Sequence, residues 1–138
     1  ELSLQMDYIL SPLEADIQSL VSCLAYAKTI TDIGVSMSDS QIKDIILFWN
    51  KVDRRVRNVI IDEYTKFINE QQITLLPSYV YAMHRFSHEL STYGLRGVFR
   101  STYQPPAKGL RRGTGVDELI SDLIQRLKLK TKSENGND

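Results

Sequence analysis

Apolar residues recur at intervals of three and four in several segments of this 138-residue chain, which is the spacing of amphipathic helices. The first such segment begins at Ser11-Pro12-Leu13-Glu14. Serine suits the N-cap, proline suits the first helical position, and glutamate suits the N3 position of a capping box. Gly34 is a suitable residue to end this helix. The pattern therefore predicts a first helix between these two points.

Three further helices follow from the same spacing and from their start signals. The predicted starts are, in chain order, Ser38-x-x-Gln41, Asp53 and Pro77-Ser78. Trp49 completes the apolar stripe of the second helix and is expected in the core. The third helix is predicted from about Arg54 to Gln71, and Gly94 ends the fourth.

Residues 95–113, LRGVFRSTYQPPAKGLRRG, break the helical period, and we predict a long basic, aromatic-containing loop there. Thr114-x-x-Asp117 then caps a last amphipathic helix. The fold class predicted is all-α, a bundle of about five helices with this loop before the last one. As one domain, it divides into a four-helix core over 1–94, a basic arm over 95–113, a C-terminal helix over 114–130 and a disordered tail over 131–138.

The charge of the chain is unevenly distributed, although 17 basic and 17 acidic residues cancel overall. Residues 1–50 hold seven acids and two bases, whereas residues 51–112 hold eleven bases and five acids. Residues 113–138 are close to neutral. Such asymmetry is typical of a polyanion-binding face or of head-to-tail self-association.

The basic arm is the strongest candidate for function, because its cations alternate with aromatic side chains. Cations that hold phosphates beside rings that stack on bases suit single-stranded nucleic acid. The same arm would also suit docking on an acidic protein surface, or it is an inert loop whose arginines reach the acids of residues 1–50. The candidate binding residues are Arg96, Phe99, Arg100, Tyr103, Lys108, Arg111 and Arg112.

Two further groups of residues are candidates for binding. A second basic cluster comprises Lys51, Arg54, Arg55 and Arg57, and it becomes functional only if it lies alongside the arm. A stripe in the last helix, either packed in the bundle or available for oligomerisation, comprises Val116, Ile120, Leu123 and Leu127. The leading hypothesis is a non-enzymatic assembly module whose arm and last helix dock on a protein partner or another copy. The alternative is a module that binds single-stranded or packaged DNA or RNA, as a viral or mobile-element packaging protein does.

Enzymatic and metal-dependent functions are disfavoured by the motifs. His84 and His88 share a helix face, but Arg85 stands where a zinc-protease motif needs glutamate, and no serine lies in a nucleophile elbow. We therefore expect no enzyme, no metal and no cofactor. With one cysteine, Cys23, no signal peptide and no apolar run of roughly 18 residues, we expect an intracellular protein, cytoplasmic or nuclear, without a membrane partner.

Overall fold

The protein is a mixed α/β domain built on a parallel sheet, as seen in a computed structural model that describes residues 5–36, 41–55, 59–86 and 108–128. Its elements follow in this order along the chain: β1 Tyr8–Leu13, α1 Ile17–Ser36, β2 Asp44–Val52, α2 Val59–Glu70, β3 Thr74–Tyr81, a 3-10 turn His84–Phe86, α3 Lys108–Arg111 and α4 Val116–Leu127. The prediction of an all-α bundle of five helices is wrong.

The three strands form one sheet in the order β1-β2-β3, and both neighbouring pairs are parallel. β1 is in register with β2 from the Tyr8–Asp44 pair to the Leu13–Trp49 pair. β3 is paired less regularly, with register shifts on either side of Trp49. Each parallel connection needs a crossover, and α1 and α2 supply the two crossovers.

The sheet separates two layers of helices, and the side chains of β2 alternate between them. Leu47 and Trp49 pack with residues of α1 and α2 on one face. Ile46 packs on the other face with Leu119 of α4, and Phe48 adjoins the same cluster. Because the middle of β2 is buried on both faces, its sequence is apolar at every position from Ile45 to Trp49 rather than alternating.

β1 and β2 occupy segments for which the sequence predicts helices. The Ser11-Pro12-Leu13-Glu14 signal lies in β1 and after it, and the true helix cap is Asp16, whose Oδ1 accepts the Ser19 N–H at 2.7 Å. Gly34 does not end α1, which continues to Ser36. The second predicted helix is β2, while its predicted cap at Ser38 lies outside the described residues.

β3 replaces the start of the fourth predicted helix, since Pro77 and Ser78 lie within it. Proline is tolerated here because β3 is an edge strand of the described sheet. The continuation of that predicted helix to Gly94 lies outside the described residues.

Three of the predicted helices are present with altered bounds. The first is α1, which starts at Ile17 rather than next to Ser11, and the other two are α2 and α4. α2 begins at Val59 rather than near Arg54, and it buries Ile61 and Ile68. α4 begins at Val116, and Leu119 is its buried anchor. Most of the predicted arm, together with the predicted tail, lies outside the described residues.

Candidate functional site

The carboxyl ends of the three strands meet at one edge of the sheet, which we call the carboxyl edge. β1 ends there at Leu13, β2 at Val52 and β3 at Tyr81. In open sheets of parallel strands, ligands bind outside this edge at the point where the strand order reverses. The described order β1-β2-β3 contains no such reversal, so this edge is a candidate site because of the side chains that its loops bring together.

The end of β2 is locally distorted, and the distortion sets the direction of the loop after it. Lys51 has a left-handed backbone, with φ of 54°, and lies within the register shift between Trp49 and Val52. A non-glycine residue adopts this conformation only at a cost of about 1 kcal/mol or more. The Lys51 ammonium lies 2.7 Å from the Glu14 carboxylate, so the loop after β1 and the end of β2 are joined by an ion pair.

Asp53 organises the turn after β2. Its Oδ1 accepts the backbone N–H of Arg55 at 2.9 Å and lies 3.4 Å from Nε of the same arginine. These interactions hold the pKa of Asp53 below its ordinary value, first through the backbone hydrogen bond and then through the positive charge of Arg55. Asp53 is therefore a carboxylate at neutral pH, and the turn keeps a fixed acceptor at the carboxyl edge.

Arg54 connects the end of β2 with the end of β3 and with the turn before α4. Its guanidinium carbon lies 3.9 Å from the centroid of the Tyr81 ring, which is a cation–π contact. Its Nη2 donates to the carbonyl oxygen of Gly113 at 2.6 Å, across 59 residues of chain. A single side chain thus connects three loops of the carboxyl edge.

The turn before α4 is fixed against β3 by tight packing. The Tyr81 N–H donates to the Thr114 carbonyl at 2.9 Å, and Thr114 itself is fully buried. Gly115 has φ of 86°, and a Cβ at this position would lie 1.8 Å from the carbonyl oxygen of Tyr79. Only glycine satisfies both the backbone angle and the close approach. Thr114 and Gly115 are consequently a rigid wall of the edge.

A cleft of about 430 Å³ opens beside these groups, between β2, α2 and β3. Two carboxylates, one guanidinium and two aromatic rings contribute to its walls, and Tyr79 and Tyr81 meet edge to face with their ring centroids 6.3 Å apart. The lining residues are Val52, Asp53, Arg54, Ile61, Asp62, Tyr79 and Tyr81. This mixture of apolar walls with a few oriented polar groups is typical of small-molecule sites.

Among the described residues, one hydrogen bond connects the second basic cluster with the end of the predicted arm at this edge. The hydrogen bond from Arg54 to Gly113 brings the second cluster against the C-terminal part of the predicted arm. Lys108 and Arg112 are exposed on α3 and the turn after it, while Arg111 is half-buried and its Nε lies 2.9 Å from Asp117. A second, open depression of about 600 Å³ is lined by Lys108, Gly109, Arg111, Arg112, Gly113, Asp117 and Glu118.

The other predicted site residues are distributed as follows. Val116, Leu123 and Leu127 pack against the buried cluster of Ile46, Leu76, Val80 and Leu119, which is the packing alternative for that stripe, whereas Ile120 is 48% exposed. Outside the described residues lie Arg57, Arg96, Phe99, Arg100 and Tyr103, together with His88.

The remaining chemical candidates contribute little. Cys23 is half-buried, with Sγ 3.8 Å from Ser11 Oγ and 3.5 Å from the Pro12 carbonyl. Trp49 is fully buried, as predicted, and its Nε1 donates to Thr65. Within the described ranges, no three His, Cys, Asp or Glu side chains are grouped to hold a metal, and no helix is long and apolar enough to cross a bilayer.

Sequence reasoning missed the aromatic part of this site. The sequence pattern puts Tyr79 and Tyr81 on a helix, on which residues two apart point in different directions. On the strand they occupy, residues i and i+2 share a face, and both rings reach the cleft. The alternation of Leu75, Tyr79 and Tyr81 with Leu76 and Val80 was the available signal.

Comparison of the chain with known protein families, with curated proteins and with solved structures finds no match.

Proposed function

We propose that the protein binds a nucleotide unit at the carboxyl edge, either as a free nucleotide or as part of a single-stranded nucleic acid. The observation that carries the proposal is the pair of Arg54 contacts, which bring together the Tyr81 ring, the cleft and Gly113, the last residue of the predicted arm. A base is planar and apolar on its faces, and it stacks on tyrosine and guanidinium groups. A phosphate is an anion that arginine and lysine side chains hold.

The walls of the cleft correspond to the parts of a nucleotide. Tyr79, Tyr81 and Ile61 offer surfaces against which a base would lie. The Asp53 and Asp62 carboxylates accept hydrogen bonds and so favour a base or a ribose that presents N–H or O–H donors. The exposed Lys108 and Arg112 line the depression that includes Gly113, the partner of Arg54, and they are the cations that would hold the phosphates.

The net charge of zero does not oppose this proposal, because binding depends on the local charge. Acidic groups near the edge limit the strength of phosphate binding, since Glu14 neutralises Lys51 and Asp117 neutralises Arg111. We therefore expect moderate affinity that weakens as salt is added.

Titration of the full chain with a fluorescently labelled single-stranded oligonucleotide, and separately with AMP by calorimetry, tests the proposal. Tyr81→Leu is expected to weaken both ligands by about 5- to 100-fold, the equivalent of one lost base stack. For the oligonucleotide, the plot of log K against log salt has a negative slope. Arg112→Ala is expected to make this slope shallower by about 0.7, because one phosphate contact is lost.

Lys66→Ala is the matched control, because Lys66 is exposed on α2 and carries the same charge away from the cleft. Its removal is expected to leave both affinities unchanged. Binding of AMP without the oligonucleotide identifies the free nucleotide as the source of the ligand, and the reverse result identifies nucleic acid. If neither binds at low salt, the proposal is wrong.

Assembly with a protein partner or another copy, the leading hypothesis from the sequence, is the second candidate, and one observation supports its self-association form. α4 packs on β2 and β3, while the β1 side chains of that face are 41% exposed at Tyr8 and 44% at Leu10. Parallel sheets are normally covered on both faces. We propose a second copy as the cover. Leu10→Ser is expected to convert a dimer to a monomer in sedimentation velocity, whereas Val21→Ser on the exposed face of α1 is not. A wild-type monomer at high micromolar concentration would exclude it.

A further inference from the structure

We propose that Arg54 is a latch, which covers the Tyr81 ring in the ligand-free protein and ties the turn before α4 to the sheet. A ligand that stacks on Tyr81 displaces the guanidinium and thereby frees the Gly113 carbonyl and loosens the first part of this turn. The displacement of Arg54 by a ligand rests on the proposed function. The mechanical half of the inference, that the hydrogen bond from Arg54 to Gly113 restrains the turn, does not depend on any ligand.

The latch is built from two contacts of one side chain. The guanidinium lies at stacking distance, 3.9 Å, from the Tyr81 ring, which is where a base would lie. The same group donates to the Gly113 carbonyl at 2.6 Å. Because the guanidinium is planar and rigid, a shift that frees the ring also moves Nη2 away from this carbonyl.

The turn on the other side of the latch has one weakly and one strongly held part. Thr114 and Gly115 are buried against β3, and the Thr114 carbonyl is bonded to the Tyr81 N–H. Gly113, one residue earlier, is half-exposed with φ of 76°, and a Cβ added there would lie at ordinary contact distance, 3.8 Å, from the nearest Arg54 atom. Arg111 stays tied to the start of α4, because its carbonyl accepts from the Thr114 hydroxyl at 2.6 Å and its Nε lies 2.9 Å from Asp117. Displacement of Arg54 is therefore expected to loosen Gly113 and the short helix α3 without detaching them from α4.

Arg55 provides a contrast next to Arg54 in the sequence. Its side chain is 90% exposed, and it contacts Asp53 in the same turn. It has the same charge as Arg54 but connects no distant loops through this contact. Arg55→Ala is therefore the matched control for Arg54→Ala.

Ligand-free NMR of the isotopically labelled full chain tests the mechanical half. The Arg54 side-chain protons are expected to be shifted upfield by the Tyr81 ring current, and Tyr81→Leu should abolish this shift. In Arg54→Ala, the Arg112 amide, which donates to the Lys108 carbonyl, should exchange with solvent about fivefold faster, and in Arg55→Ala it should not. Unchanged exchange in Arg54→Ala would overturn the latch.

Adenosine tests the displacement half, because a neutral nucleoside does not sense the lost arginine charge. If Arg54 covers the ring, Arg54→Ala should bind adenosine about fivefold more tightly than wild type, and adenosine should remove the upfield shift of Arg54 in wild type. Weaker binding by Arg54→Ala would overturn displacement and make Arg54 part of the base site. Failure of wild type and variant to bind adenosine, AMP or oligonucleotide would contradict the proposed function and displacement together, while the exchange data would still decide the tie.

Discussion

Gly115 is the position at which one added methyl group is expected to do most harm. A Cβ there would lie 1.8 Å from the Tyr79 carbonyl oxygen, and φ of 86° disfavours any other residue. We expect Gly115→Ala to lower the free energy of unfolding by about 3 kcal/mol, since a left-handed backbone alone costs of order 1–3 kcal/mol. Urea denaturation monitored by circular dichroism measures this change.

Gly109→Ala is the control for that substitution. A Cβ at Gly109 meets nothing within 4 Å, and the residue lies in the short helix α3. The expected change is neutral, or stabilising by about 0.5 kcal/mol through the unfolded chain. Equal losses in the two variants would show that the approach of Gly115 to β3 has no energetic weight.

Asp53 allows the cause of a pKa shift to be separated into its parts. The backbone N–H of Arg55 is the largest cause of the lowered pKa, and the charge of Arg55 is a smaller one. Arg55→Ala keeps the N–H, so Asp53 should still titrate below an ordinary aspartate in carbon-detected NMR. A return to the ordinary pKa would show that the side chain, not the backbone, sets the shift.

The sign of the related pH effect follows from the direction of this shift. Because the folded-state pKa of Asp53 is lowered, its contribution to stability is present above the pKa of the unfolded chain. That contribution is lost as the pH falls through the folded-state value. The opposite holds for Lys43, whose pKa is raised, mainly because its ammonium bonds to Asp7, so its contribution is lost at alkaline pH.

At the scale of elements, α4 shows how a helix is divided between packing and exposure. Leu119 is buried between α4 and the sheet, whereas its neighbour Ile120 is 48% exposed. We expect Leu119→Ala to destabilise the protein by about 2–4 kcal/mol and Ile120→Ala by less than about 0.5 kcal/mol in urea denaturation. A large loss from Ile120→Ala, accompanied by dissociation, would instead show that the exposed side contacts another copy.

The strands resemble helices in sequence because short apolar segments are ambiguous in period. Ile42, Ile45, Ile46 and Trp49 fit helical spacing, yet the full run from Ile45 to Trp49 is apolar at every position. Such a run is typical of a strand buried on both faces. In β1, the sequence Ser11-Pro12-Leu13-Glu14 matches the capping-box pattern and so favours a helix. The segment does not form a capping box, because residues 11–13 belong to a strand. The helices α2 and α4 were predictable because their apolar faces are flanked by charged residues.

The candidate site was predictable only in its charges. The sequence indicates both basic clusters, but they are 59 residues apart at Arg54 and Gly113, and no local rule brings them together. The sheet does so, because the ends of β2 and β3 lie side by side and α4 starts against β3. The aromatic rings of Tyr79 and Tyr81 can be assigned to the site only when β3 is recognised as a strand.

At the scale of the whole molecule, opposite charges are partly paired within the chain. The acidic residues 1–50 supply Glu14 to Lys51 and Asp44 to Arg126. Thr74 also donates to Asp44 and accepts from Arg126, so this cluster fastens the end of α4 to the sheet, opposite the carboxyl edge. Part of the charge imbalance along the sequence is therefore neutralised by ion pairs within the folded chain. Less unpaired charge is left to attract a second copy.

The burial of the sheet predicts an order of opening within the molecule. β2 is paired on both sides and covered on both faces, whereas β1 is paired on one side and exposed at Tyr8 and Leu10. Amides of β2 should therefore exchange only through global unfolding, while those of β1 also exchange through local opening. Native-state hydrogen exchange in increasing urea distinguishes the two, because global opening depends steeply on urea and local opening does not.

Leu10 gives the order of opening a second readout. If a second copy covers β1, its amides should become as protected as those of β2 at high protein concentration, and Leu10→Ser should remove only this added protection. If β1 and β2 exchange at the same rate in dilute protein, the edge does not open independently. The three strands would then form one cooperative unit, and the exposed face of β1 would carry no separate stability cost.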